Sequence, residues 1–157
     1  MVAAVLRSPL HPMLSGTVLL LTVRGRRTGR WYTMPVGYVS QDGTLDVLVA
    51  NGQTKAWWRN LEGGSPVLLV LRGQVVRARA EALTFERDAR SFTLALRNYV
   101  AKNRRGARAV GILDVEDLAG IRSAASNAVI VKIYPTSWPP IDEPGAQTKR
   151  STYEEDT

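Results

Sequence analysis

Hydrophobic positions along this chain fall into short runs separated by turn residues. Apolar and polar residues alternate within several of these runs, most clearly at Leu45, Val47 and Val49, which predicts strands with one buried face. The predicted strands are 17–23, 31–40, 44–50, 66–71, 74–83 and 128–134. Asp42-Gly43 supplies a hairpin turn, because these residues accept a positive φ cheaply. About six short, mostly hairpin-linked strands favour a small antiparallel barrel over a doubly wound sheet.

Segments whose apolar residues follow a helical period lie at a few places between these strands. The predicted helices are 3–14, 54–61, 84–102 with a continuation to 110, and 114–125. Thr54, Thr84 and Asp114 are the predicted N-caps of the last three, since their side chains can accept from a free backbone N–H. The apolar stripe of the longest helix consists of Phe85, Ala89, Phe92, Leu96 and Tyr99. The fold class is therefore mainly β with inserted helices.

The totals exclude several kinds of site. A chain of 157 residues with 45% hydrophobic and 22% charged residues is typical of one globular domain. It contains no cysteine, and its one histidine is His11 beside a proline, so neither a metal cluster nor a Ser-His-Asp triad is expected. We expect the folded domain to span 1–134, and the Pro-rich acidic residues 135–157 to form a disordered tail.

Charge is distributed unevenly along the chain. Residues 135–157 hold five acidic and two basic side chains, a net −3, so the chain's total of +7 leaves +10 on residues 1–134. A domain this basic attracts anions. No segment approaches the ~20 apolar residues that span a bilayer, and no secretory signal is evident. We expect a cytoplasmic protein and leave a peripheral membrane contact open.

Four arginines and two glycines occupy residues 24–30, between the first two predicted strands. Glycines let backbone N–H groups converge on one point, and arginines add forked, permanently charged donors. Such a strand–turn–strand tip suits a multiply charged anion, although a solvated turn is the simpler alternative. Arg77 and Arg79 share a strand face with Val75 and either extend a basic groove or form the solvated side of the barrel.

Trp57-Trp58 is the second candidate feature. Adjacent residues on a helix point about 100° apart, so one indole is expected in the core while the other can wall a planar ligand. The alternative is that both tryptophans serve only core or edge packing. Asn51-Gly52 ends the third strand and is either a plain turn or part of the same site. No general acid or base stands out, although Tyr32, Tyr38 and Tyr99 are candidate proton donors. The sequence therefore names no catalytic residue, and a cofactor would have to carry the chemistry.

Together these segments resemble the deazaflavin-dependent nitroreductase and quinone reductase family. The resemblance covers roughly residues 14–83 and rests on 19–30, Met34-Pro35-Val36-Gly37-Tyr38, Asp42-Gly43 and Ala56-Trp57-Trp58-Arg59-Asn60-Leu61. The loop between Asn51 and Trp57 is shorter than in the nitroimidazole-reducing members. Gly37 stands where those members often carry a tyrosine.

The resemblance implies a split β-barrel of the FMN-binding type that binds coenzyme F420, whose parts are a planar deazaflavin, a phosphodiester and an oligoglutamate tail. By this resemblance, the groups that hold the phosphate and tail are Arg26, Arg27, Thr28, Gly29 and Arg30. The groups near the ring are Pro35, Asn51, Trp57, Trp58 and Asn60. The reduced cofactor would pass a hydride to a quinone, a nitroaromatic compound or another activated acceptor.

Two other classes of function stay open. A split barrel could hold FMN instead, although one phosphate would not need four arginines. A non-enzymatic basic module could bind nucleic acid or an anionic membrane, although no nucleic-acid motif is present and no specific nucleic-acid partner is expected. The expected partner is a small-molecule electron acceptor, and pairing of barrel edges leaves a homodimer open.

Overall fold

Seven antiparallel strands form one sheet in the computed structural model, which describes residues 18–114 and 116–136. The strands are β1 (Val18–Arg24), β2 (Trp31–Gly37), β3 (Val39–Gln41), β4 (Thr44–Val49), β5 (Ser65–Leu71), β6 (Gln74–Leu83) and β7 (Val129–Pro135). Their order across the sheet is β2-β1-β5-β6-β7-β4-β3. The predicted mainly β fold with inserted helices is confirmed, with one strand more than the six expected.

The additional strand comes from the run at 31–40, which the sequence predicts as one bent strand. The structure divides it at Tyr38, because β2 pairs with β1 whereas β3 pairs with β4. β2 and β3 are thus the two edges of the sheet and are separated by a single buried residue. The sheet must curl to bring its edges together, which produces the half-barrel.

The inside of the curl is the main hydrophobic core. Alternate residues of the strands point inward, including Leu19, Leu21, Val47, Leu69 and Val131, all at most 2% exposed. The Asp42-Gly43 hairpin is confirmed, with positive φ at both residues. The core leaves the ends of the strands to carry the loops that form the site.

Three helices pack on the outer face of the sheet: α1 (Ala89–Lys102), α2 (Arg104–Ala109) and α3 (Leu118–Asn127). Their second core contains Phe92, Leu96, Tyr99, Ile112 and Ile130. Phe85 and Ala89, predicted on the same stripe, are exposed. Phe85 precedes the helix and contacts Phe92 edge-on at a centroid distance of 6.2 Å.

The predicted N-caps of these helices are wrong by a few residues. Asp88 caps α1 by accepting from the Ser91 N–H at 3.0 Å, while Thr84 closes the preceding turn. Asp117 caps α3 by accepting from the Gly120 N–H at 2.9 Å. Asp114 instead accepts from the Glu116 N–H. In each case the earlier candidate forms a turn that leads into the helix.

The predicted helix at 54–61 is in fact two 3₁₀ helices, Gly52–Thr54 and Trp57–Leu61. Thr54 ends the first of them, and its hydroxyl donates to the Asn51 carbonyl at 2.9 Å. The predicted helix at 3–14 and residues 137–157 of the predicted tail lie outside the described residues. Among the described helices, none has both the length and the apolar character required to cross a membrane.

Candidate functional site

The basic turn closes the β1–β2 hairpin in a tightly bonded loop. The Gly25 N–H donates to the Arg30 carbonyl at 2.7 Å, and the Gly29 N–H donates to the Gly25 carbonyl at 2.9 Å. Gly29 has φ +70°, which favours glycine, and a Cβ on Gly25 would lie 3.0 Å from Tyr32 Cε2. The backbone of Gly29 thus favours glycine, and a side chain at position 25 would require Tyr32 to shift, so both residues shape the turn that carries residues 26–28.

The four arginines of this turn point to different places. Arg26 and Arg27 line a cleft next to the short 3₁₀ helices. Arg24 instead lies over the Trp31 ring, 5.9 Å from its centroid. Arg30 is exposed and does not line the cleft. Two of the four guanidinium groups are thus available to a ligand in the cleft.

The cleft has a volume of about 820 Å³ and opens between the basic turn and residues 53–62. This size lies within the range of ligand sites, roughly 300–1,000 Å³. Its lining residues are Gly25, Arg26, Arg27, Thr28, Tyr32, Gln53, Thr54, Lys55, Ala56, Trp57, Arg59, Asn60 and Glu62. A continuous cavity therefore joins the basic turn to Trp57.

The second 3₁₀ helix distributes its side chains in rows, because residues three apart overlap when viewed along such a helix. Trp58 and Leu61 form the row that points into the barrel core and are 8% and 0% exposed. Trp57 and Asn60 form a row on the cleft. The helix thus anchors itself with one row and presents another to the cleft.

The two tryptophans therefore divide as the sequence predicts. Trp58 is buried, and its Nε1–H donates to the Gly52 carbonyl at 2.7 Å. Arg59 covers its ring at 5.4 Å. Trp57 is half-buried and lines the cleft, where its indole can contact a flat ligand.

Asn60 connects the basic turn to the tryptophan helix. Its Oδ1 accepts from the Arg26 backbone N–H at 3.0 Å, and its Nδ2 donates to the Trp57 carbonyl at 3.0 Å. The Arg26 guanidinium also donates to the Glu62 carbonyl. These bonds fix the distance between the charged and aromatic parts of the cleft.

The electrostatic field of the cleft is positive. Four cationic side chains line it: Arg26, Arg27, Lys55 and Arg59. Glu62 is the one carboxylate among the lining residues, and it is paired with Arg87 at 2.8 Å. The excess of cations, with the carboxylate already paired, gives the cleft a positive charge that favours anionic ligands.

The structure brings half of the predicted site residues together. Arg26, Arg27, Thr28, Trp57 and Asn60 line the cleft, whereas Gly29, Arg30, Pro35, Asn51 and Trp58 do not. Gly29 shapes the turn and Trp58 fills the core. Pro35 lies opposite Leu20 in the sheet, and Asn51 takes a left-handed conformation before the first 3₁₀ helix.

Several lining residues are missing from the predicted site, notably Tyr32, Gln53, Lys55, Arg59 and Glu62. Ala56, Arg59 and Glu62 follow the period of three of a 3₁₀ helix, whereas the sequence predicts an α-helix, in which these residues do not form one row. Of the three candidate proton donors, Tyr32 alone lines the cleft. Tyr38 and Tyr99 are 6% and 4% exposed in the two cores, and burial raises the pKa of Tyr99.

Solved structures with a similar backbone show the fold. A putative pyridoxamine 5'-phosphate oxidase from Listeria innocua is 12% identical over 81% of this chain and 90% of its own, with a TM-score of 0.50. HutZ, the heme storage protein from Vibrio cholerae, is 17% identical over 78% and 83%, with the same TM-score of 0.50. The predicted split barrel of the FMN-binding type is thereby confirmed.

An F420-H2 dependent reductase named FDR-A is 16% identical over 74% of this chain and 93% of its own, with a TM-score of 0.44. No curated protein matches the sequence. The family model described as F420H(2)-dependent quinone reductase matches residues 8–114.

Proposed function

This chain belongs to the F420H2-dependent quinone reductase family, and we propose that its basic cleft binds coenzyme F420 and directs hydride transfer to a quinone or another activated acceptor. The family is one of oxidoreductases that depend on this cofactor. The observation that carries the proposal is the single cavity that joins Arg26 and Arg27 to Trp57. An anionic chain and a flat ring need such neighbouring surfaces.

The residues present fit the cofactor on chemical grounds. The phosphodiester and glutamate tail carry several negative charges, and the cleft offers four cations against one paired carboxylate. Within residues 18–114 and 116–136, neither the Arg27 guanidinium nor the Lys55 ammonium makes a hydrogen bond or an ion pair, so both charges can serve a ligand. A guanidinium binds phosphate and carboxylate through two parallel hydrogen bonds, which gives orientation as well as affinity.

The aromatic residues fit the ring. Trp57 is held at its carbonyl by Asn60, while Tyr32 projects from the start of β2 into the same cleft. Both side chains offer flat apolar surface with a polar edge, which orients a planar heterocycle without covalent contact. When bound, the reduced deazaflavin supplies the hydride. The protein supplies position and charge.

A quinone is the acceptor that the family's description favours, and nitroaromatic compounds are the alternative that we propose to test beside it. Anaerobic oxidation of F420H2 against a panel of quinones, nitro compounds and unsaturated carbonyls separates these classes. Turnover of quinones above the rest supports the proposed acceptor. Turnover of nitro compounds alone would assign the other one.

Cofactor binding is tested by titrating F420 into the protein while intrinsic tryptophan fluorescence is recorded. We expect the Kd to rise with salt, because a charged tail is being held. Arg27→Ala should raise the Kd about tenfold or more, since a hydrogen bond between charged groups is worth about 1.5–3 kcal/mol. Its melting temperature should stay unchanged.

The matched control is Arg97→Ala, which removes an exposed arginine of α1 that does not line the cleft. Its Kd should equal that of the native chain. Equal Kd values for Arg27→Ala and Arg97→Ala would disprove the assignment of the cleft. Tighter binding of FMN than of F420 would mean that the cleft is correctly assigned but that its cofactor is FMN.

A further inference from the structure

A second cavity lies on the opposite face of the sheet from the cleft. It is a groove of about 450 Å³ across β2, β5 and β6, and the residues that matter here are Trp31, Pro66, Leu68, Arg77, Arg79 and Thr136. The alternation of β2 explains its position: Tyr32 points into the cleft and Trp31 points outward, 54% exposed. The groove is therefore separate from the proposed cofactor site.

The groove has apolar walls and a charged border. Trp31, Pro66 and Leu68 form its walls, while Arg77 and Arg79 are exposed along β6. Among residues 18–114 and 116–136, no carboxylate forms an ion pair with either arginine, and Arg79 donates to the Gly63 carbonyl at 3.4 Å. Helices α1–α3 cover the other part of the outer face and leave this part open.

We propose that the segment Trp138–Glu143 of this chain folds back and fills the groove. The last described residue, Thr136, lies in the groove itself, where its N–H and hydroxyl donate to the Arg77 carbonyl at 2.8 and 3.0 Å. The next residues are Ser137-Trp138-Pro139-Pro140-Ile141-Asp142-Glu143. An apolar stretch followed by two carboxylates thus begins at an apolar groove bordered by two arginines.

The prolines keep this segment from simply extending β7. Pro139 and Pro140 have no N–H to donate to β6, so the strand pairing cannot continue through them. Pro139 also restricts Trp138 to an extended backbone. Four extended residues span about 13 Å, so Trp138 and Ile141 both lie within reach of the groove that begins at Thr136.

The other end of the chain is a poorer occupant. Residues before Val18 enter the sheet where β1 pairs with Gly37, whereas the groove lies where Arg24 pairs with Trp31. The seven-residue strand β1 separates these two points by roughly 20 Å. The segment that follows Thr136 starts in the groove, and its carboxylates are opposite in charge to Arg77 and Arg79. It is therefore the better occupant of the two chain ends.

Disulfide trapping tests this placement cleanly, because the chain contains no cysteine. In the full chain, Leu68→Cys combined with Ile141→Cys places one thiol in the groove and one in the segment. The control combines Ile141→Cys with Leu94→Cys, because Leu94 lies on α1 and its side chain is 56% exposed. We expect an intramolecular disulfide to form at least ~tenfold faster in the groove pair, since docking raises the effective concentration of the two thiols.

Each other outcome overturns the proposal. Equal rates in the two pairs would mean that the segment does not dock, and disulfides between chains alone would assign the groove to a second copy. If Leu68→Cys does not fold, Pro66→Cys provides the same test. An independent measurement is the melting temperature of Trp138→Ser/Ile141→Ser, which should fall by several degrees while Tyr153→Ser leaves it unchanged.

Discussion

Asn60 is the side chain that holds the cleft in one shape. It is half-buried, and its amide uses both ends: the oxygen binds the basic turn and the nitrogen binds the tryptophan helix. Aspartate, which has the same shape, would keep the acceptor and lose the donor. Besides lining the cleft itself, Asn60 fixes the positions of Arg26 and Trp57.

Asn60→Ala should lower the free energy of unfolding by about 1–3 kcal/mol, because two hydrogen bonds are lost and a partly buried N–H is left unpaired. It should also weaken F420 binding, since the charged and aromatic surfaces lose their fixed spacing. Urea denaturation and the fluorescence titration measure the two effects. Asn98→Ala, a half-buried residue of α1, is the control. A normal Kd in Asn60→Ala would contradict the positioning role.

At the level of strands and helices, the 3₁₀ segments connect the cleft to the barrel. Gly52 begins the first of them, and its carbonyl accepts from Trp58 in the core. A Cβ on Gly52 would lie 2.7 Å from Val129 Cγ2 of β7. Contacts this close do not occur between real side chains, so the segment sits as near to β7 as a glycine allows.

Gly52→Ala should therefore cost about 1–3 kcal/mol of stability, the range for overpacking in a core. Val129→Ala in the same chain should relieve much of this cost, so that the double variant is more stable than the two single changes predict. Thermal or urea unfolding of the native chain, the two single variants and the double variant gives the coupling energy. Val131→Ala, also buried on β7, should combine additively with Gly52→Ala to within about 0.5 kcal/mol. An additive Gly52–Val129 pair would refute the contact.

The sequence predicts these elements unevenly, and the physical reasons differ. Strands with clear alternation, such as 44–49 and 74–83, are found as expected. The division at Tyr38 cannot be predicted from the sequence, because both halves of 31–40 are extended and only the strand with which they pair changes. The sequence indicates the basic turn and Trp57 as parts of the site. The places of Lys55 and Arg59 follow from two short 3₁₀ helices, which propensity does not distinguish from one α-helix.

For the molecule as a whole, one buried charge works against stability. Asp46 is 1% exposed on β4, and its Oδ1 has no hydrogen-bond partner among the described residues. Burial raises the pKa of Asp46 above 3.8, although the charges of Lys132 and Lys102 act in the opposite direction. The folded chain thus holds this proton more tightly than the unfolded chain does.

The stability contributed by that proton is fully present below about pH 3.8 and is lost as the pH rises through the folded-state pKa. Asp46→Asn cannot ionise, so its stability relative to the native chain should increase between about pH 4 and 7. Urea unfolding at several pH values measures the difference.

Asp117→Asn is the control for this pH series. Hydrogen bonds from Gly120 and Leu113 lower the pKa of Asp117, so its contribution is lost only below 3.8. The difference in unfolding free energy between Asp117→Asn and the native chain should stay constant between about pH 4 and 7. If the stability of Asp46→Asn relative to the native chain stays constant or falls with pH, the pKa of Asp46 is not raised in the folded state.

Trp31 and Tyr32 are neighbours in sequence and lie on opposite sides of the same edge strand. A slip of β2 by one residue along β1 would exchange them, turning an indole towards the cleft and a phenol towards the outer groove. The alignment of this one strand therefore determines the character of two unrelated surfaces at once. An inserted or deleted residue in the adjoining loop would therefore remodel both surfaces.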